Sequence, residues 1–116
     1  MKKLFLILPL LAMAGCNTFN LNPNVASPSS VVVAINAFDA AEATAANYLL
    51  LPDCVKVATK VCRSAAISAS VVKAVTAGRV ARDSLQADLK ANITAPVTTL
   101  QVLTTAVSTL QSLNAQ

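Results

Sequence analysis

The chain of 116 residues is 55% hydrophobic but only 3% aromatic and 12% charged, a length that allows one domain at most. Nine Lys and Arg against five Asp and Glu leave a net charge of +4, with no His, no Trp and only two Gly. The glycine count excludes a P-loop or a glycine-rich dinucleotide site, and general acid–base catalysis loses its commonest residue.

Lys2 and Lys3 open the chain, and Leu4 to Leu11 follow as an apolar run interrupted by Pro9. That run is far shorter than the roughly 20 residues a bilayer-spanning helix needs. With the small residues Ala14 and Gly15 behind it, the segment 1–15 reads as an export signal and stands apart from the fold. The run Met13-Ala14-Gly15-Cys16 resembles the lipobox of bacterial lipoproteins, in which an aliphatic residue and two small residues precede a cysteine at the cut. Met13 stands where that family usually has Leu.

The resemblance rests on the leading sixteen residues. It implies cleavage between Gly15 and Cys16, a diacylglyceryl group on the Cys16 thiol and an acyl chain such as palmitate on the new amine. Cys16 would then be the first mature residue, and this covalent lipid is the one prosthetic group expected. At about 0.8 kcal/mol per buried methylene, two or three chains hold a protein stably where one does so marginally. In that family an Asp after the cysteine favours the inner membrane of Gram-negative cells. Asn17 stands there, so the resemblance implies the cell envelope, on the periplasmic face of the outer membrane. The plainer alternative is an ordinary secretory signal followed by a coincidental cysteine.

Residues 16–28 read as a lipidated tether: Asn17 to Pro28 contains four Asn, two Pro and no charge, which is turn and linker chemistry. Its reach is roughly 20 Å. Residues 29–116 are the expected helical domain. Ser27 ahead of Pro28 supplies an N-cap and a proline at the first helical position, predicting a helix over about 28–50. Its stripe is Val31, Ile35, Phe38, Ala41 or Ala45, and Tyr48 or Leu49. Asp39 and Glu42 lie off that stripe, as a solvated face or as neighbours for the later arginines.

Pro52 ends that helix. Removing the lipidated Cys16 from three cysteines leaves Cys54 and Cys62, an even remainder that suggests one disulfide in an oxidising compartment. A continuous helix would hold their Cα atoms about 12 Å apart, beyond the roughly 7 Å a bridge spans. A disulfide therefore demands a loop over 51–63. The alternatives are two buried thiols or, less favoured without C-x-x-C spacing, a redox pair.

Ser64 is the next N-cap, and a second helix is predicted over 64–91, with Ile67, Val71, Val75, Gly78, Ala81 or Arg82, Leu85 and Leu89 as its stripe. Gly78 costs about 1 kcal/mol against Ala in a helix, so its place on the stripe suggests a close neighbour. From Cys54 to Arg82 the charged residues are Lys56, Lys60, Arg63, Lys73, Arg79 and Arg82, with no acid among them. They are candidate contacts for an anionic surface. The plainer reading is that they keep an alanine-rich surface soluble.

From Ala91 to Gln116 nothing is charged. Val97, Leu100, Leu103 or Thr104, Val107, Leu110 and Leu113 or Asn114 predict a third helix over 95–113. Its Thr, Ser and Gln cover is either plain surface or a face against another protein. The whole predicts an all-α fold, a small antiparallel three-helix bundle. The rival is a long helical hairpin whose third helix packs on a second copy.

No glycine-flanked serine or metal-spaced cluster is present, and the one S-x-x-K spacing, Ser70 to Lys73, stands without the S-D-N and K-T-G motifs that accompany it in serine acyl-enzymes, so no catalytic residue, metal or small-molecule substrate is expected. The export signal argues against nucleic acid. The expectation is an envelope lipoprotein, held to the membrane by its acyl chains, with a structural or accessory role. Its partner would be an envelope protein or a second copy of itself. The alternative is a small binding or inhibitory lipoprotein, bacterial or phage-encoded, acting on a periplasmic enzyme or an outer-membrane receptor.

Overall fold

The computed structural model describes residues 24–56 and 61–114. The elements run β1 (Val25–Ala26), α1 (Pro28–Leu49), α2 (Ala65–Lys90), β2 (Ala95–Pro96) and α3 (Val97–Asn114). The three helices follow the predicted ones to within two residues at each end.

The first two helices start where their polar punctuation stands. Ser27 is extended and its hydroxyl accepts from the Ser30 amide at 3.3 Å, with Pro28 next in line. Ser64 does the same for the Ile67 amide at 3.2 Å. At the end of α2 the Asn92 amide donates to the Leu89 carbonyl and the Ile93 amide to that of Asp88. This paired closure needs a left-handed residue, and Asn92 supplies it at φ 53°. Asn tolerates that region better than most residues with a Cβ, so α2 stops sharply without a glycine.

The direction of packing is legible in its cross-contacts. Glu42 pairs with Arg79, while Asp39, one turn earlier on α1, reaches Arg82, about a turn later on α2; the two helices are antiparallel. α3 packs against both and buries Leu103, Ala106, Val107 and Leu110 in the core they share. The stripe of α3 is thus covered by its own chain. The hairpin alternative, which leaves that stripe to a second copy, is not the arrangement seen.

Phe38, Leu85, Leu103, Leu110, Val31 and Val71 are the largest fully buried side chains, and no polar or charged side chain is buried among the described residues. Alanines 34, 41, 45, 74, 81 and 106 take core positions beside Ile35 and Val107, and small side chains let helix axes approach closely. Gly78 is the extreme case. A Cβ built on it would fall on the edge of the Phe38 ring, against Cε2, Cζ and Cδ2. The neighbour that its place on the stripe implied is therefore an aromatic ring of α1.

One element lies outside the sequence reading. β1 and β2 form a two-stranded antiparallel ribbon, with Val25 opposite Pro96 and Ala26 opposite Ala95, and the Val97 amide donates to the Asn24 carbonyl at 3.3 Å. Ala26 and Ala95 are buried against the helices. The expected tether of 16–28 therefore gives up its last residues to the domain: a proline tolerated at an edge and small side chains let the chain pair there. Pro96, expected inside the third helix, is a strand residue, and α3 opens at Val97.

Candidate functional site

The expected lipidation and cleavage residues, Cys16 and Gly15, lie outside the described residues, as does Lys60. The other candidates fall into three places on the bundle.

The first is the tip joining α1 to α2. Cys54 and Cys62 are bridged there, with Cα atoms 4.9 Å apart; Pro52 has ended α1 and let the chain turn back. Arg63 organises the tip. Its Nε donates to Asp53 Oδ1 at 2.7 Å and its Nη1 to the Leu49 carbonyl at 2.7 Å. The guanidinium therefore satisfies a carbonyl left open at the α1 C-terminus, where the helix dipole favours a cation. The backbones join as well: the Arg63 amide donates to the Pro52 carbonyl at 2.9 Å and the Cys54 amide to that of Arg63 at 3.1 Å. Tyr48 contributes its hydroxyl oxygen, which accepts from the Ser64 amide at 2.9 Å. The Arg63 hydrogen bond and charge hold the Asp53 carboxyl below its ordinary range, with Lys56 adding a smaller pull.

The second place is the α1/α2 face. Arg79 pairs with Glu42, and Arg82 with Asp39, Glu42 and Asp83. Its guanidinium also lies 5.8 Å from the Phe38 ring centroid. The hydrogen bond to Asp83 comes first among the causes that raise its pKa, against an opposing cost of burial. Three candidate surface contacts, Arg63, Arg79 and Arg82, are thus engaged by acids of their own chain. Neighbouring sequence shows only the Arg82–Asp83 pair, because the other acids lie 10 to 43 residues away. Asp39 and Glu42 are the neighbours of arginines that the sequence had allowed.

The third place is a groove of about 680 Å³ between α2 and α3, lined by Ser70, Lys73, Ala77, Val102, Thr105 and Thr109 among others. Lys73 is its one charge. A second hollow continues it past Val80 to Ser84, sharing Ala77, Thr98 and Val102. The uncharged cover of α3 thus becomes one wall of a trough, a juxtaposition that required knowing which helices lie side by side.

No known family matches the chain, and no curated protein and no solved structure is similar to it. Among the described residues there is no cluster of three metal-binding side chains, and no helix is long and apolar enough to cross a membrane.

Proposed function

We propose that the protein is a membrane-anchored lipoprotein of the bacterial cell envelope, with a structural or accessory role and no chemistry of its own. The observation that carries this is the leading segment: the Lys2-Lys3 pair, the short apolar run and Met13-Ala14-Gly15-Cys16. Two features of the fold support it. The first described element, β1, begins at Val25, downstream of Cys16. The charged side chains described on the bundle are spent largely on one another, as expected of a scaffold.

Intact mass of the membrane-extracted protein tests the reading. The expected result is loss of residues 1–15 with acyl mass added at Cys16. An uncut chain, or an unmodified residue 16, refutes it.

The second reading, a binding or inhibitory module, is favoured by the α2/α3 groove. A trough uncharged but for one lysine suits a helix or strand of another protein whose contact face is apolar and carries a single acid. A one-to-one complex with a purified envelope protein, weakened by Ala77→Arg, would establish it.

A further inference from the structure

The two most exposed large aliphatic side chains among the described residues, Val55 at 99% and Leu50 at 83%, stand at the tip, and Val61 at 65% flanks the bridge on its other side. The disulfide and the Arg63 bonds hold them there, so their exposure belongs to a built feature. A side chain as bare as Val55 is a projection rather than the wall of a patch. A projection is buried best by a medium that closes around it.

Charge points the same way. From Cys54 to Arg63 the chain carries Lys56, Lys60 and Arg63 and no acid. The nearby carboxylate, Asp53, is engaged by Arg63 at 2.7 Å, with Lys56 at 3.5 Å and its side chain 78% exposed. The arginines of the α1/α2 face are neutralised where they stand, whereas at the tip the described Lys56 and Arg63 share the one acid Asp53, which leaves a surplus positive charge beside the aliphatics.

We propose that this tip docks into the interface of an anionic lipid bilayer, with Val55 and Val61 entering the headgroup–acyl boundary and Lys56 meeting the headgroups. Apolar prongs with a cationic collar are what such an interface accepts. The tip lies at the far end of α1 from the N-terminal tether, about 33 Å away along 22 residues of helix. It would be a second lipid contact, separate from any acyl anchor and independent of whether Cys16 is acylated.

The sequence has no Trp, so Val55→Trp places a single fluorophore at the tip of the full chain and Val80→Trp places one midway along α2. Each membrane-extracted protein is reconstituted into vesicles of brominated phosphatidylglycerol or brominated phosphatidylcholine. An anchor brings both reporters to the lipid equally, so the difference between them reads the tip alone. The expected result is a blue-shifted, bromine-quenched Val55→Trp emission in phosphatidylglycerol, with Val80→Trp remaining in water. Lys56→Glu in the Val55→Trp chain should lower the inserted fraction roughly tenfold at low salt. Equal emission from the two reporters, or no effect of Lys56→Glu, overturns the proposal. So does a blue shift without lipid that grows with protein concentration, since a second copy would then cover the tip. Intact mass at Cys16 is read separately, so failure of the anchor and failure of the tip are distinguishable.

Discussion

Gly78→Ala is the most exacting test of the core. In an exposed helix the change would stabilise by about 1 kcal/mol, through lower backbone entropy in the unfolded chain. Here the added methyl would fall on the Phe38 ring edge. Phe38 is fully buried, and Arg82 stands over its face at 5.8 Å, so the ring has little freedom to retreat. Overpacking costs about 1–3 kcal/mol, and a methyl placed on a fully buried ring falls in the upper part of that range, about 2–3 kcal/mol, enough to outweigh the gain in propensity. A net loss of about 1–2 kcal/mol is expected, and for a domain of this size the melting temperature should fall by about 5–10 °C. Phe38→Leu alone should also destabilise, by about 1–2 kcal/mol. With Gly78→Ala present, however, it removes the atoms the methyl strikes. The double mutant should therefore be more stable than the sum of the singles by roughly 1–2 kcal/mol. Melting followed by circular dichroism at equal protein concentration gives all four corners of the cycle. If Gly78→Ala raises the melting temperature and the cycle shows no coupling, Phe38 does not occupy the space that glycine leaves.

Non-reducing peptide mapping should recover Cys54 and Cys62 as one cross-linked species, and Cys54→Ala/Cys62→Ala should still fold, with a loss of about 2–3 kcal/mol by denaturant melting. Asn92→Val, which puts a β-branched residue at φ 53°, should cost about 1–2 kcal/mol, whereas Asn92→Gly should be close to neutral by the same melt. Leu103→Ala should cost about 2–5 kcal/mol, because α3 contributes that fully buried side chain to the common core; a loss under about 1 kcal/mol would mean that α3 is peripheral.

The first two helices were legible because two local signals agree along each of them, and α3 was legible from its apolar recurrence alone. Apolar residues recur at three and four, and Ser27 and Ser64 stand where the recurrence begins. Val31, Phe38, Val71, Leu85, Leu103 and Leu110 were on the expected stripes and are fully buried. The cysteine pair was legible because two cysteines remain once Cys16 is set aside, and Pro52 ends the preceding helix and so opens the loop that a bridge demands. What escaped the sequence depends on pairs distant along the chain. Ala26 and Ala95 form a ribbon that neither segment could form alone, since two residues of strand carry no alternation to read. Arg63 looked like a free surface cation because its acid lies across a loop and its carbonyl partner belongs to the preceding helix. Asn92 was a weak signal with a definite meaning: an Asn just past a helical run is a candidate left-handed stop.

The β1–β2 ribbon also determines where mechanical load enters the molecule. Tension applied through the N-terminal side reaches Val25 and Ala26 before it reaches α1, and these are pinned to Ala95 and Pro96 at the root of α3. The Val97 to Asn24 hydrogen bond adds a stitch at the same point. A pull on the chain is thus shared between the first helix and the α2–α3 corner, rather than peeling α1 from its Ser27 cap. Under such a load the domain would yield first at this four-residue clasp, leaving the helices and the bridged tip in register to re-form when the force drops.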